Sequence, residues 1–150
     1  MDIERSPELE RFAEEAHDAW ERGDTRWYAE RLSSQDPIML GSAPEEEIRG
    51  AQAVGNALGA AVAERESLPF KSTRPRVLDA RQCGDIGWTI GETEWEFEDG
   101  TSIAVRGLTI LHREDGEWKA VVGLTAPAFS NDLLRAGSPL ARAAETSSSA

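Results

Sequence analysis

The chain has 150 residues, a length typical of one domain that can bury its own hydrophobic core. Its 28 acidic and 16 basic residues give a net charge of −12, and a negative field of this size repels nucleic acid. The single cysteine excludes an intrachain disulfide, and no apolar run approaches the ~20 residues that span a bilayer. We therefore expect a cytoplasmic protein that binds neither nucleic acid nor a membrane.

Two helices are predicted at the N-terminus. The first begins at Pro7, because Ser6 suits the N-cap position and proline suits the first helical turn. Gly23 ends this helix, and Asp24 caps the second one. Apolar residues recur at helical spacing along the first helix, which predicts one buried stripe. This stripe consists of Leu9, Phe12, Ala13, Ala16 and Trp20.

A short strand and a third helix are predicted next. The Asp36-Pro37 pair ends the second helix, and Ile38–Leu40 is expected to form a short strand. Residues Gly41–Pro44 have the composition of a turn, and Gly50 begins the third helix. A longer strand is predicted from Phe70 to Ala80.

The stretch from residue 88 to residue 127 is predicted to form three antiparallel strands. Two Asp-Gly pairs, Asp99-Gly100 and Asp115-Gly116, divide it into runs rich in β-branched and aromatic residues. An Asp-Gly pair between such runs is typical of a type I′ hairpin turn, which needs a positive φ at both central residues. We therefore expect two tight hairpins in succession.

Pairing the strands around two-residue turns assigns the side chains to two faces, because successive strand residues point to opposite sides. This pairing places Arg106 opposite Thr93 and Thr125. The first predicted face holds Thr89, Gly91, Thr93, Trp95, Phe97, Ala104, Arg106, Leu108, Ile110, His112, Val121, Gly123 and Thr125. The second holds Trp88, Ile90, Glu92, Glu94, Ile103, Val105, Thr109, Leu111, Trp118, Ala120, Val122 and Leu124.

Both predicted faces are apolar over much of their length, although the helices of a chain this size cover only one of them well. We expect a second copy of the chain to pack on the second face and form a homodimer. The alternative is that the C-terminal tail folds back over this face. The predicted dimer face consists of Trp88, Ile90, Leu111, Trp118 and Val122.

The order helix, helix, short strand, helix and long sheet resembles the nuclear transport factor 2-like superfamily, which includes ketosteroid isomerase and the SnoaL-like proteins. The resemblance is carried by the segments Trp20–Asp24, Leu40–Glu45, Arg49-Gly50, Val105–Thr109 and Arg113–Lys119. It implies an α+β, cone-shaped fold in which three N-terminal helices pack on a curved, mostly antiparallel sheet. We expect a SnoaL-like domain over residues 1–130 and a mobile C-terminal tail over residues 131–150.

The resemblance also bears on catalysis. Ketosteroid isomerases use a carboxylate base on the short strand, opposed by a tyrosine and a protonated carboxylic acid. The matching positions fall near Gly41, near Ala16, and near Leu108 or Thr109, and none of these side chains can perform that chemistry. Many SnoaL-like relatives end the last strand with a histidine, where this chain has Leu124-Thr125-Ala126. The isomerase mechanism is therefore not expected, and other catalysis stays open.

Several residues are candidates for a ligand pocket. Arg106 lies within an apolar strand, so it either anchors an anionic or carbonyl group or pairs with a helix carboxylate, Glu14 or Asp18. The aromatic residues either surround a planar ligand or fill the core, and Tyr28 is the best hydrogen-bond donor among them. The predicted pocket residues are Trp20, Trp27, Tyr28, Thr93, Trp95, Arg106, Leu108 and Thr125.

Three functions follow from these patterns. The first is binding of a small hydrophobic molecule in an apolar pocket. The second is a cofactor-independent SnoaL-like enzyme, such as an isomerase, cyclase or hydrolase, that acts on a hydrophobic substrate. The third is a non-catalytic dimerisation module whose pocket is filled by tryptophans. A cavity well below ~300 Å³ would exclude the first two. The sequence has no nucleotide motif and no histidine–cysteine ligand set, so we expect no cofactor and no metal.

Overall fold

The structure is a computed structural model, and it describes residues 1–41 and 45–128. The helices are α1 (Pro7–Arg22), α2 (Thr25–Arg31) and α3 (Ala51–Glu64), and a 3₁₀ turn at Arg65–Ser67 follows α3. The strands are β1 (Glu4–Arg5), β2 (Ile38–Leu40), β3 (Glu47–Arg49), β4 (Phe70–Cys83), β5 (Ile86–Phe97), β6 (Ser102–Glu114) and β7 (Glu117–Ala128).

These strands form one sheet in the order β1-β4-β5-β6-β7-β2-β3. Every neighbouring pair is antiparallel except β2 and β7, which run parallel. Helix α1 contacts β4 and β5, and α2 contacts β7. The predicted α+β fold, with three N-terminal helices on a mostly antiparallel sheet, is confirmed. No helix within the described ranges is long and apolar enough to cross a membrane.

The predicted start and end of α1 and the predicted start of α2 are confirmed, and the capping residues explain them. The predicted end of α2 at Asp36-Pro37 is wrong, because α2 ends at Arg31 and the extended Leu32 bridges to Ala120 of β7. Oγ of Ser6 accepts a backbone N–H of the first turn of α1 at 3.4 Å and donates to Oε1 of Gln82 at 2.7 Å. Gly23 ends α1 with a φ of 68°, which glycine adopts without strain. The carboxylate of Asp24 accepts a backbone N–H of α2 at 3.0 Å. Ser6 therefore also ties the start of α1 to β4.

Two strands, β1 and β3, are not predicted from the sequence. Both are too short to show the alternation that identifies a strand. The predicted strand at 70–80 is confirmed but continues to Cys83. Residues 42–44 of the predicted turn and the whole predicted tail, residues 131–150, lie outside the described residues.

The turn between β5 and β6 decides the register of the sheet. It spans the three residues Glu98–Gly100, because the Phe97 N–H donates to the Thr101 carbonyl at 2.8 Å. Gly100 has a positive φ of 81°, but Asp99 does not, so the turn is not type I′. The Asp99 carboxylate accepts the Thr101 hydroxyl at 2.6 Å and the Thr101 amide at 2.9 Å, and these bonds lower the pKa of Asp99. The predicted two-residue turn is wrong here.

The turn between β6 and β7 is the predicted type I′ turn. Its central residues, Asp115 and Gly116, have positive φ angles of 51° and 83°. His112 pairs with Lys119, as predicted. A β-bulge then inserts Val121 into β7, so the rest of β6 pairs one position later on β7 than predicted.

These two shifts move Arg106 away from its predicted neighbours. Arg106 pairs with Glu92 on β5 and with Ala126 on β7. The predicted placement of Arg106 opposite Thr93 and Thr125 is therefore wrong. Since a slip of one residue exchanges the two faces, the predicted division of the sheet into faces is wrong as well.

Helix α1 packs on the sheet through a small buried cluster. Leu9 of α1 packs with Ala80, Leu111 and Trp118, whose exposed fractions are between 0 and 7%. Nε1 of Trp118 donates to the carboxylate of Glu8 at 3.1 Å. Leu111 and Trp118 belong to the core of the chain, so their predicted place on a dimer face is wrong.

Because Leu111 faces α1, the even-numbered residues of β6 face away from the helices. We call this side of the sheet the outer face. Its central apolar part, called the outer patch, consists of Trp88, Ile90, Leu108, Ile110 and Val122, and the more exposed Ile86 and Leu124 lie on the same face. Three residues of the predicted dimer face, Trp88, Ile90 and Val122, are among them.

We expect Gly87→Ala to destabilise the protein by about 1–3 kcal/mol, because overpacking of a core forces its neighbours to move. A Cβ here would overlap Cδ1 of Leu9 and lie 3.0 Å from the Arg81 carbonyl oxygen. Gly91→Ala is the control on the same strand and face, since its Cβ would come no closer than 3.8 Å to the Arg76 carbonyl oxygen. Urea unfolding followed by tryptophan fluorescence measures both variants. Equal stability would contradict close packing of α1 at Gly87.

Candidate functional site

A cavity of about 240 Å³ lies between the helices and the sheet. Its volume is a little below the ~300 Å³ at which pockets for drug-sized ligands begin, so it suits a smaller molecule. All three helices and the central parts of β6 and β7 contribute to it. The lining residues are Phe12, Ala16, Trp27, Tyr28, Arg31, Leu32, Pro37, Ile38, Met39, Val54, Leu58, Gly107–Thr109 and Ala120–Thr125.

Two glycines leave the sheet side of the cavity without side chains. Gly107 pairs with Thr125, and Gly123 pairs with Thr109 on the neighbouring strand. A Cβ added at Gly107 or Gly123 would meet no atom closer than 3.7 Å and 3.8 Å respectively. Neither glycine is therefore required by a close approach of the backbone. Both keep open a volume that larger side chains would fill.

Aromatic rings form much of the helical wall. The ring centroids of Phe12 and Trp27 lie 5.2 Å apart, which joins α1 to α2. Trp27 and Tyr28 also lie 5.2 Å apart, with their planes at 80°. Tilted and edge-on pairs of this kind stabilise each other beyond simple burial. The wall is therefore a fixed apolar surface against which the body of a ligand can pack.

Tyr28 lines the cavity, but its hydroxyl proton is already used. The hydroxyl donates to the carbonyl oxygen of Ala16 on α1 at 2.5 Å. Burial raises the pKa of Tyr28 to about 12, because the phenolate would lose its hydration. Tyr28 is therefore a poor proton donor to a bound molecule, and its oxygen is left to accept a hydrogen bond.

The remaining polar side chains of the cavity are two threonines and one arginine. Thr109 and Thr125 make no side-chain hydrogen bond within the described ranges, so both hydroxyls can bind a ligand. Among the residues that the structure describes, no aspartate, glutamate or histidine lines the cavity. Ala16 and Leu108, which the resemblance aligns with isomerase residues, border the cavity without supplying an acid. The lining therefore supports binding better than acid–base catalysis.

The predicted aromatic pocket is divided between two sites. Trp27 and Tyr28 line the cavity, whereas Trp20 and Trp95 line a separate cleft of about 160 Å³ beside β4. Trp20 and Trp95 stack with their centroids 6.4 Å apart, and Phe70 meets Trp95 nearly edge-on at 4.2 Å. The prediction of one cage formed by all four rings is therefore wrong.

The other predicted pocket residues also separate. Thr125 borders the cavity, and Leu108 also borders it along β6, although its register places its side chain in the outer patch. Thr93 pairs with Val105 on β6 and lines neither the cavity nor the cleft. The structure thus brings together Trp27, Tyr28, Leu108 and Thr125, half of the predicted set.

Arg106 lies on the outer face and not in the pocket. Its Nε donates to Oε2 of Glu92 at 2.9 Å, and its side chain is 62% exposed. Arg76 contacts the other oxygen of Glu92 at 2.9 Å. Hydrogen bonds from Arg106 and then Arg76 lower the pKa of Glu92. Both predicted roles of Arg106, as a ligand anchor and as the partner of Glu14 or Asp18, are wrong.

Arg31 lines the cavity from the end of α2 but is not among the predicted pocket residues. Arg31 follows Trp27 by four positions and Tyr28 by three, so the three side chains share one side of the helix. That spacing is a signal in the sequence. A basic residue in the last turn of a helix is, however, commonly a solvated group that complements the helix dipole. The cavity beside Arg31 appears only when the sheet packs against α2.

The described ranges contain no group of three or more His, Cys, Asp or Glu side chains that could hold a metal ion. Nε2 of His17 lies 3.5 Å from the carboxylate of Glu21 and 3.5 Å from the hydroxyl of Thr73 on β4. The Thr73 hydroxyl also donates to Glu21. These contacts form a polar connection between α1 and β4.

The sequence model of the SnoaL-like domain matches residues 9–123. The chain belongs to the SnoaL-like family. The match runs from α1 into β7, so it includes every helix that lines the cavity. A search of curated proteins finds no match.

Solved structures share the fold at low identity. A domain of unknown function with a cystatin-like fold from Nostoc punctiforme PCC 73102 is 14% identical, with a TM-score of 0.64 over 95% of this chain and 94% of that one. A provisionally assigned dehydratase of the NTF2-like family from Streptomyces avermitilis is 15% identical, with a TM-score of 0.62 over 82% and 96%. A provisionally assigned ketosteroid isomerase from Parabacteroides distasonis ATCC 8503 is 14% identical, with a TM-score of 0.62 over 83% and 94%. At these identities the likeness shows the fold alone.

We expect Tyr28 in the folded protein to titrate near pH 12, above its ordinary pKa of 10.0. Since Tyr28 is the only tyrosine, the near-ultraviolet absorbance of its phenolate reports this one group. As the pH rises, Tyr28 loses its proton in the unfolded chain before it does so in the folded protein. The contribution of the protonated Tyr28 to the free energy of unfolding is therefore complete below about pH 10 and is lost as the pH rises toward 12.

Two controls accompany this titration. The same protein in urea should titrate near the ordinary value, and Tyr28→Phe should show no transition. A midpoint near 10.0 in the folded protein would contradict the burial of the Tyr28 hydroxyl.

Proposed function

We propose that this SnoaL-like domain binds a small, largely apolar molecule in the cavity between its helices and its sheet. The observation that carries the proposal is the pair Gly107 and Gly123, which keep about 240 Å³ open beside an aromatic wall. Protein interiors are otherwise close-packed, and an unfilled apolar cavity lowers stability. We place this binding in the cytoplasm, as the single cysteine predicts.

Catalysis is the alternative, because similar folds include a provisionally assigned dehydratase and a provisionally assigned ketosteroid isomerase. Enzymes of those kinds transfer protons with carboxylates, histidines or acidic hydroxyls. The described cavity residues supply no carboxylate or histidine, and the Tyr28 hydroxyl donates to Ala16. The threonine hydroxyls can orient a ligand, but they do not exchange its protons readily at neutral pH. Catalysis would need proton-transferring side chains that the described cavity residues do not supply, whereas binding does not need them.

Gly123→Val tests the proposal by filling the cavity from the sheet side. The probe is octanamide, an uncharged amphiphile, and isothermal titration calorimetry measures its affinity. We expect the wild type to bind octanamide. The affinity of the variant should be lower by a factor of about ten or more, because the valine carbons exclude part of the alkyl chain. Circular dichroism establishes that the variant is folded.

Gly91→Val is the matched control. Gly91 pairs directly with Gly107 and faces the helices, but it does not line the cavity. Octanamide should therefore bind this variant as it binds the wild type. An unchanged affinity in Gly123→Val would refute the proposal.

We also propose that a second copy of the chain covers the outer patch. The acids of β5 beside this patch are paired, Glu94 with Arg74 at 3.0 Å and Glu92 with both Arg76 and Arg106 at 2.9 Å. This part of the outer face is thus nearly neutral, although the chain carries a net charge of −12. Two such faces can approach without strong repulsion, and the five residues of the outer patch are only half-buried in one copy of the chain. A partly exposed apolar patch with a polar border is typical of an interaction surface.

We expect Ile90→Glu to convert a wild-type dimer into a monomer, because the new carboxylate would be buried without a partner between two outer patches. Native mass spectrometry of the freshly purified protein measures the subunit count. Ile3→Glu is the control, since Ile3 is 58% exposed and lies outside the sheet. A monomeric wild type, or a dimer that survives Ile90→Glu, would exclude this interface.

A further inference from the structure

Arg31 is a cation that lines the cavity and forms no ion pair within the described ranges. Its guanidinium carbon lies 5.7 Å from the centroid of the Trp27 ring. Within the described ranges its side chain forms no ion pair and no hydrogen bond. The only other described arginine or lysine without an ion pair is Arg11, which is exposed on α1. Arg31, in contrast, is half-buried and lines the cavity.

The nearest acidic residues are already occupied. Glu30, the neighbour of Arg31 in the chain, pairs with Arg26 at 2.6 Å. Glu117 pairs with Lys119 at 2.8 Å, and the pKa of Glu117 is lowered first by hydrogen bonding and attraction from Lys119 and then by the attraction of Arg31, which lies beyond ion-pair distance. Nζ of Lys119 also donates to the Glu30 carbonyl at 2.6 Å. The end of the cavity at Arg31 is therefore locally positive in a chain of net charge −12.

Arg31 and Thr125 lie at opposite ends of the stretch of β7 that lines the cavity. Arg31 precedes Leu32, which forms an isolated bridge with Ala120 of β7. Thr125 lies five residues further along β7, or about 16 Å at ~3.3 Å per residue. The cavity therefore extends from a cationic end, past apolar walls, to a hydroxyl at its other end.

From this arrangement we propose that the natural ligand is a small carboxylic acid with an apolar body, which rests on the proposed binding function. The guanidinium of Arg31 donates to the carboxylate, and the apolar body lies between the aromatic wall and the two glycines. A guanidinium offers parallel donors that match a carboxylate, and such charge-assisted hydrogen bonds are roughly twice as strong as neutral ones. Of the described cavity side chains, Arg31 is the one that carries a charge, so it sets this preference.

A structural role for Arg31 is the competing explanation. Arg31 lies in the last turn of α2, where a cation complements the helix dipole, and it stacks on Trp27. That role would affect folding, but it would not make the cavity distinguish a carboxylate from an amide of the same shape. The test must therefore compare two ligands and not only two proteins.

The experiment measures the affinities of octanoate and octanamide by isothermal titration calorimetry. The two probes have the same length and differ in the charge of the head group. We expect the wild type to bind octanoate about tenfold more tightly than octanamide. Arg31→Gln should lose this difference by weakening octanoate alone. Arg31→Lys should keep part of it, because the charge remains but the paired donors do not.

Arg11→Gln is the matched control, since Arg11 also forms no ion pair within the described ranges, is exposed, and does not line the cavity. It should retain the full preference for octanoate. If octanamide binds as tightly as octanoate, or if Arg31→Gln weakens both probes equally, the carboxylate proposal is refuted while the binding function stands. If neither probe binds the wild type, both proposals are refuted.

Discussion

The conformation of the turn at Glu98–Gly100 determines where every side chain of β6 lies. The Asp99 carboxylate accepts two hydrogen bonds from Thr101, and this favours a three-residue turn over a two-residue one. One additional residue in a hairpin moves each side chain of the second strand to the opposite face. For that reason Leu111 is in the core under α1, and Arg106 is on the outer face beside Glu92.

The same helix-facing side of the sheet is filled at one end and open at the other. Near Gly87, Leu9 of α1 occupies the space that a side chain would need. Near Gly107 and Gly123 no atom takes that space, and a cavity forms. A glycine on this face thus has one of two consequences. At Gly87 it permits close packing, because Leu9 fills the space, and at Gly107 and Gly123 it leaves a cavity, because no helix residue fills the space. The stability of the domain and its capacity to bind depend on different ends of one surface.

The charges of the chain follow a similar division. Most described cations form ion pairs on exposed surface, where such pairs contribute little to stability. Arg31 is different, because it lines the cavity and forms no ion pair within the described ranges, whereas the nearby Arg26 pairs with Glu30 on the surface. The cavity also contains the hydroxyls of Thr109 and Thr125 without a carboxylate among the described residues. These groups can hold and orient a molecule but do not readily transfer protons, so the site supports the proposed binding better than proton transfer.

The sequence by itself determined the three helices, β2, β4 to β7 and their order along the chain, but not the short strands β1 and β3. Local backbone geometry decides the start of α1 at Ser6, its end at Gly23 and the type I′ turn at Asp115-Gly116. These features can therefore be predicted from the sequence without knowledge of the fold. The register of β6 was not predictable in the same way, because Asp99 and Asp115 are both followed by glycine. The two turns differ in the φ angle of the aspartate and in the hydrogen bonds that Asp99 accepts from Thr101. The cavity, its cation and the outer patch were decided by tertiary structure, since each depends on which face of the sheet the helices cover.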